Sequence, residues 1–151
     1  MKNLFRYSTI LLIGVVAVMA MNSGCGKDDD LSTKELLTAH PWKFVKAETT
    51  STDSSVIQGI AIINAFMTNS VVTFNADGTY TLTSPLLNDP ETGTWELSSD
   101  EKLLTIKSDG ESSSNGDVNR IVRISDTELV LEEDDTTDDG TPYTISLHFG
   151  K

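Results

Sequence analysis

The chain has 151 residues, with 11 basic and 23 acidic side chains and a formal net charge of -12 at pH 7. This length suits one domain rather than two, and the acidic excess argues against nucleic acid as a partner because phosphate backbones attract basic surfaces. A domain of this size can bury a sufficient core without disulfide bonds, and the sequence contains a single cysteine.

The amino terminus has the layout of a secretory signal peptide over residues 1–24. Lys2 and Arg6 give this segment a positive start, and an apolar stretch from Ile10 to Met21 follows. About 12 helical residues rise about 18 Å, which is short of the roughly 30 Å hydrocarbon core of a bilayer. We therefore expect a removable signal rather than a membrane-spanning helix.

A cysteine follows the apolar stretch, after two small residues. The sequence Ser23-Gly24-Cys25 resembles the lipobox of bacterial lipoproteins. The resemblance implies that the Cys25 sulfur carries a lipid, with acyl chains such as palmitate that anchor the protein to a membrane. The alternative is a free thiol or an unpaired half of a disulfide.

The residues that follow the predicted lipid anchor in the sequence are mostly acidic. The run Lys27, Asp28, Asp29 and Asp30 resembles the lysine-plus-acid export signal of Bacteroidetes-type surface lipoproteins. This resemblance implies a location at the outer membrane facing the cell exterior, with a periplasm-facing location as the alternative. Like charges also resist packing, so residues 25–30 are expected to form a solvated tether.

The domain itself is predicted to span residues 31–151 and to begin with a short helix. Residues Leu31 to Ala39 can form this helix, Ser32 or Thr33 can cap its start, and His40-Pro41 ends it. The alternation of apolar and polar side chains from Trp42 then predicts a first strand that runs to about Ala47.

A second helix is predicted between Asp53 and Asn69. Its apolar residues at helical spacing are Val56, Ile60, Ile63 and Met67. Asp53 can cap the helix, while Ile62, Ala65 and Phe66 widen the apolar face, as expected for a helix pressed onto a core. Such a helix either closes the bottom of the domain by packing or lies as a lid over an open end.

From Ser70 onward, seven further segments alternate in the manner of strands and are joined by short turns. The clearest is a hairpin around the turn Asn75 to Gly78. The stretch from Ser108 to Asp117 predicts a loop, and Glu132 to Gly140 predicts an acidic hairpin tip. Eight antiparallel strands favour a closed barrel, with a two-sheet sandwich as the alternative.

Five segments carry a family resemblance, which covers roughly Leu31 to Lys151. They are Pro41–Val45, Val72–Tyr80, Gly93–Leu97, Ile124–Leu131 and Leu147–Lys151. Together they resemble the lipocalin-like domain of small bacterial lipoproteins. The resemblance implies an all-β fold of the calycin type: an eight-stranded antiparallel meander barrel with a short N-terminal helix and a helix between strands 1 and 2.

The sequence offers little for catalysis. A Ser or Cys nucleophile needs a nearby His as base, yet His40 precedes a proline at a helix end and His148 alternates onto the solvent face of the last strand. The acids fall in turns, in loops or on polar strand faces, where nothing raises their pKa for acid catalysis. We expect no enzyme, although an enzyme of unrecognised type stays open.

Metals and cofactors are not expected either. Zinc needs clustered His or Cys ligands, and no glycine-rich phosphate loop opens a helix. The acidic residues 132–139 supply oxygen ligands but not the spacing of an EF-hand, so a solvated tip is favoured and weak calcium binding is left open.

Large apolar residues predominate on the predicted inner face. The residues that we expect to line a ligand site in the barrel are Trp42, Phe44, Phe74, Tyr80, Trp95, Tyr143 and Phe149. Few polar groups join them, so the barrel is either full or binds a small apolar ligand with little discrimination. In the alternative function, a filled barrel is the scaffold of an accessory lipoprotein that contacts a protein or glycan through its loops and acidic surface.

Overall fold

The computed structural model describes residues 31–110 and 116–151. In chain order the elements are α1 (Thr33–Thr38), β1 (Trp42–Thr49), α2 (Ser54–Met67), β2 (Val71–Phe74), β3 (Thr79–Thr83), β4 (Glu91–Leu97), β5 (Leu103–Ser108), β6 (Asp117–Ile124), β7 (Glu128–Thr136) and β8 (Pro142–Gly150). The predicted signal peptide, the Cys25 lipidation site and the export signal at residues 27–30 lie outside the described residues.

The eight strands form one closed sheet. Each strand pairs antiparallel with the next strand in the chain, and β8 returns to pair with β1. The predicted eight-stranded meander barrel, with one helix before it and one between the first two strands, is confirmed, and the sandwich alternative is wrong. Neither described helix is long and apolar enough to cross a membrane.

Inward-facing side chains of all the strands fill the lower part of the barrel, where α1 closes one end. Leu37 of α1 and Trp42 at the start of β1 are fully buried, and the Trp42 indole Nε1 donates a 2.9 Å hydrogen bond to the Leu37 carbonyl oxygen. The backbone N–H of Thr33 donates to the Glu101 carboxylate in the turn between β4 and β5. These contacts fix α1 across this end of the barrel.

The pairing between β1 and β2 is the shortest in the barrel. Its register consists of Trp42 opposite Val72 and Lys43 opposite Val71, while the other neighbouring strands share four or more pairs. Since β2 begins only at Val71, the second half of β1 needs another partner on that side.

That partner is the side chain of Asn64 on α2. The Ala47 N–H donates a 2.7 Å hydrogen bond to Asn64 Oδ1, and Asn64 Nδ2 donates to the Ala47 carbonyl oxygen at 2.9 Å. A single amide therefore satisfies both backbone groups of Ala47 as a neighbouring strand would. We call this pair of bonds the Asn64 clasp.

The helix α2 meets the barrel with a narrower face than predicted. Ile60 is buried, and Ile63 and Met67 pack against the core, as their spacing indicated. The prediction that Ile62 and Phe66 also press onto the core is wrong, because Ile62 is 69% exposed and Phe66 is 38% exposed. Ala65 is exposed too. One stripe of α2 thus faces the barrel, and the adjacent apolar stripe faces solvent.

One further prediction about strands needs correction. Residues 132–135 do not belong to a hairpin tip, since β7 continues to Thr136 and the turn contains only the residues before β8. In β6 a register irregularity between Ile121 and Arg123 leaves Val122 50% exposed. A bulge reverses the side-chain alternation that a simple strand would have.

Replacing Asn64 with Ala should lower the free energy of unfolding by about 1–3 kcal/mol, because two partly buried backbone groups of Ala47 lose their partners. Urea denaturation measures the difference. Gln58→Ala, at an exposed position of the same helix, is the control and should change stability by less than about 0.5 kcal/mol. Equal stability of the two variants would contradict a structural role for the clasp.

Candidate binding cavity

The barrel is not full. A cavity of about 210 Å³ lies inside it, at the end opposite α1, and Met67 from the last turn of α2 forms part of its wall. The other apolar lining residues are Val72, Phe74, Leu82, Ile106, Leu131, Leu147 and Phe149. The polar lining residues are Tyr80, Glu91, Ser108, Asp117, Asn119 and Glu133. The cavity thus combines an apolar interior with a set of polar groups at and below its mouth.

Three polar groups form a connected cluster on one wall. The Tyr80 hydroxyl donates a 2.8 Å hydrogen bond to Glu91 Oε1, and the Ser108 hydroxyl donates to the same oxygen at 2.6 Å. The two hydroxyl oxygens lie 2.8 Å apart. These bonds hold the Glu91 carboxylate in one orientation on the cavity wall.

A glycine makes room for this cluster. Gly93 pairs with Tyr80 on β3 and with Ser108 on β5. A Cβ atom at Gly93 would lie 2.1 Å from the Lys107 carbonyl oxygen and 2.7 Å from the Tyr80 ring. The ring therefore lies over the bare backbone of β4, and the absent side chain is a packing requirement.

Asn119 lies deeper in the cavity wall. Its residue is only 6% exposed. The amide Nδ2 has one long contact, 3.5 Å to the Asp117 carbonyl oxygen, and Oδ1 accepts no hydrogen bond from any described residue. Because Asn119 lines the cavity, its remaining hydrogen-bonding capacity is accessible to a molecule that enters the cavity.

Two more carboxylates stand at the mouth, Asp117 at the start of β6 and Glu133 on β7. Burial raises the pKa of Glu133 above its ordinary value, and the neighbouring carboxylates of Asp117 and Asp135 raise it further. Desolvation is the larger cause of this pKa shift, and the two neighbouring carboxylates add to it in the same direction.

The acids on the outer face have a different environment. Arg120 bonds to both Glu132 and Asp134, at 3.0 and 2.9 Å, and these bonds raise the pKa of the guanidinium above its ordinary value. The predicted acidic tip is therefore divided: two acids are paired outside the barrel, and Glu133 lines the cavity. Among the residues that the structure describes, no cluster of His, Cys, Asp or Glu could hold a metal ion.

The residues predicted to contact a ligand fall into three groups. Phe74, Tyr80 and Phe149 line the cavity. Trp42, Phe44 and Trp95 are buried in the core below it and do not line it. There Phe44 packs edge-on against Phe149, and Trp95 against Phe74. Tyr143 lies on a separate cleft between α2 and the β7–β8 hairpin, with its hydroxyl on the Asp135 carboxylate at 2.8 Å.

Neither histidine reaches the cavity. His40 places Nε2 3.0 Å from the Asp126 carbonyl oxygen in the β6–β7 turn. His148 faces outward from β8, with Nε2 3.3 Å from a Glu48 carboxylate oxygen. Both positions agree with the sequence interpretation, which placed one at a helix end and the other on the outer face.

The polar cavity residues were missed by the sequence analysis, which assigned every acid to a turn, a loop or a polar strand face. Glu91 shares its strand face with Gly93 and Trp95, and Glu133 shares its face with Leu131, so alternation alone could have placed both inside the barrel. For Asp117 and Asn119 the signal was weaker, because the strand that carries them reads as the end of a polar loop.

A closed meander barrel of eight antiparallel strands, with a partly apolar cavity open at one end, defines the ligand-binding class of small β-barrels. The sequence profile of the lipocalin-like domain matches residues 39–131. The chain belongs to this lipocalin-like family, as its sequence resemblance indicated. The family is in general a binding fold rather than an enzyme fold.

A solved structure with a similar course of the chain is that of a DUF4847 family protein from Bacteroides vulgatus ATCC 8482. It has 14% sequence identity and a TM-score of 0.47, over 76% of this chain and 96% of that chain. No curated protein matches this chain significantly.

The raised pKa of Glu133 predicts a pH-dependent stability. Since the folded state binds this proton more tightly than the unfolded chain, the destabilisation by Glu133 begins as the pH rises above the ordinary Glu pKa and is complete above the raised pKa. Glu133→Gln should therefore raise the free energy of unfolding at pH 7, by less than about 1 kcal/mol because the side chain is partly solvated. The gain should vanish below about pH 4, where the wild-type carboxyl is also neutral.

Urea denaturation between about pH 3 and about pH 8 measures this difference. Glu96→Gln is the control, because Glu96 lies on the outer face of β4 and is exposed. A Glu133→Gln variant that is less stable than the wild type at pH 7 would contradict the electrostatic explanation.

Proposed function

We propose that this protein is a non-enzymatic lipoprotein, lipid-anchored in the outer membrane through Cys25, whose barrel binds a small amphipathic molecule on the exterior side. The observation that carries the binding function is the cavity, which combines apolar walls with oriented polar groups. Ligand sites are generally concave and mostly apolar, with a few placed polar groups that fix orientation. The Glu91 cluster and Asn119 are such groups.

The cavity is small for a ligand site. Its volume of about 210 Å³ is below the roughly 300–1,000 Å³ of pockets for drug-sized ligands. A long acyl chain or a haem is therefore a poor fit, and the ligand class is one of compact molecules. A ligand in this cavity also has to form hydrogen bonds with the polar groups of the wall. We therefore propose an amphipathic ligand in place of the purely apolar one.

The location rests on the sequence features at residues 1–30. A signal-like segment ending in Ser23-Gly24-Cys25, followed by the acidic run at residues 27–30, supports a lipid anchor and export to the cell exterior. A lipid anchor would hold the binding domain at the membrane surface.

One observation favours a second function, that of an accessory protein that binds another macromolecule. Ile62 and Phe66 lie one turn apart on the solvent side of α2 and are both exposed, and Leu86 in the β3–β4 loop is 63% exposed. Exposed apolar groups outside a core are typical of interaction surfaces. In that function the contact is made by α2 and its neighbouring loop, and not by the acidic hairpin.

The binding function predicts a co-purifying small molecule. Residues 31–151 contain all eight strands, both helices and the core, so this domain can be purified from its native host without the anchor. Native mass spectrometry should detect a stoichiometric adduct that is released on denaturation. Leu147→Trp, which fills the cavity, should abolish the adduct, whereas the outward Thr94→Trp should retain it. A bare wild-type domain would argue against the carrier function and favour the accessory function.

The lipid anchor predicts a loss of membrane association in Cys25→Ser. The full chain with this substitution should move to the soluble fraction, while the wild type stays with the outer membrane and is digested when intact cells are treated with protease. Replacing Lys27 and the three following aspartates by Ala, with Cys25 retained, should keep the anchor but protect the protein from external protease. Membrane retention of Cys25→Ser would contradict the anchor, and unchanged protease sensitivity of the second variant would contradict the export signal.

A further inference from the structure

We propose that the cavity recognises a compact molecule with a protonated nitrogen, such as a primary amine, attached to an apolar body. This inference rests on the proposed binding function and names its ligand class. It is carried by the charge of the lining, by the way Glu91 is held, by the unfilled hydrogen-bonding capacity of Asn119, and by the spread of the carboxylates around the wall.

The charge of the lining is one-sided. Three carboxylates line the cavity, those of Glu91, Asp117 and Glu133, and none of the described lining residues is Lys, Arg or His. The arginine that pairs with acids of this region, Arg120, does so on the outer face of the barrel. A ligand with a carboxylate or phosphate would add another negative charge to this group, whereas an ammonium group would compensate it.

The Glu91 carboxylate is held in an orientation that suits a cation. Its Oε1 accepts hydrogen bonds from the hydroxyls of Tyr80 and Ser108, so its position is fixed before a ligand arrives. Oε2 accepts no hydrogen bond from any described residue. Because a fixed acceptor loses little conformational freedom on binding, a charge-assisted hydrogen bond to Oε2 contributes more of its energy to affinity.

Asn119, on β6, is an independent observation. This side chain is more than nine-tenths buried and lines the cavity, yet its Oδ1 has no donor among the described residues. An ammonium group has three N–H donors. It can therefore bond to a carboxylate and still supply a donor for an amide oxygen, which a single hydroxyl cannot do.

The arrangement fits an organic cation better than a metal ion. The carboxylates come from three strands, β4, β6 and β7, and no three ligand groups of the described chain converge as metal coordination requires. Below them the wall consists of aromatic and aliphatic side chains, among them Phe74, Leu131 and Phe149. A molecule with a charged end near Glu91 and an apolar end against these residues uses both parts of the cavity.

The test compares head groups on identical apolar bodies. Binding of 2-phenylethylamine, 2-phenylethanol and phenylacetate to the domain 31–151 is measured by calorimetry and by amide NMR shifts, together with hexylamine, hexanol and hexanoate. We expect the amine of each series to bind at least about tenfold more tightly than the alcohol, with shifts at the cavity residues and no detectable binding of the carboxylate.

Variants assign the effect to the named residues. Glu91→Gln keeps the acceptor for Tyr80 and Ser108 and should weaken amine binding by about tenfold, while the outward Glu96→Gln should leave it unchanged. Asn119→Leu should weaken amine binding and also make the free domain more stable to urea. A merely structural Asn119 would give a less stable domain instead. Circular dichroism verifies that each variant is folded.

The outcomes distinguish this inference from the function on which it rests. Alcohol or carboxylate binding equal to that of the amine, or amine affinity that is unaffected by Glu91→Gln, overturns the cation preference while a binding cavity stands. Failure of both amines to bind also overturns it. The adduct seen by native mass spectrometry decides the binding function separately, because it depends on no choice of probe.

Discussion

Closure of the sheet between β1 and β2 is the constraint on which the other features of this domain depend. Only two residue pairs join these strands, and beyond them the wall of the barrel is completed by α2 through the Asn64 clasp. The helix is therefore a structural substitute for strand pairing, and not only a cover. Because its last turn lies at this gap, Met67 becomes part of the cavity wall. The short strand β2, the position of α2 and the open end of the barrel thus have one common cause.

The acidic side chains have different neighbours on the two faces of the sheet. Outside, acids of β7 are compensated by Arg120. Inside, Glu91, Asp117 and Glu133 have no basic neighbour in the lining. A barrel separates these groups by only one residue along a strand, since successive side chains point to opposite faces. The acidic side chains therefore have two different roles. Those on the outer face favour solubility, and those on the inner face favour a cationic ligand.

Much of the fold could be predicted because its signals are local. Alternation, turn residues such as Asp77-Gly78 and the Asp53 helix cap are short-range patterns, and they gave the correct number of strands and the position of both helices. The side of α2 that packs against the barrel was predicted less well, because Ile62 and Phe66 are as apolar as the residues that contact the core. Hydrophobicity alone does not distinguish a stripe that meets a core from one that faces solvent.

The candidate site was harder to predict, for two physical reasons. Asp117 and Asn119 lie on a strand whose alternation is broken by a bulge, and Ser108 stands at a strand end, where a sequence pattern cannot separate strand from loop. Their convergence depends on the register of strands far apart in sequence. The register of β3, β4 and β5 brings the hydroxyls of Tyr80 and Ser108 to the same carboxylate oxygen of Glu91.

The Asn64 clasp has a kinetic consequence. Met67 lies in the cavity wall, less than one helical turn from the residue that holds α2 to β1. Where entry or release of a ligand requires Met67 to move, local opening of the helix adds to the barrier, and the residence time then depends on two amide hydrogen bonds as well as on the contacts of the ligand itself. Affinity and retention can therefore vary independently in this barrel, the first through the inner carboxylates and the second through a single asparagine on the helix.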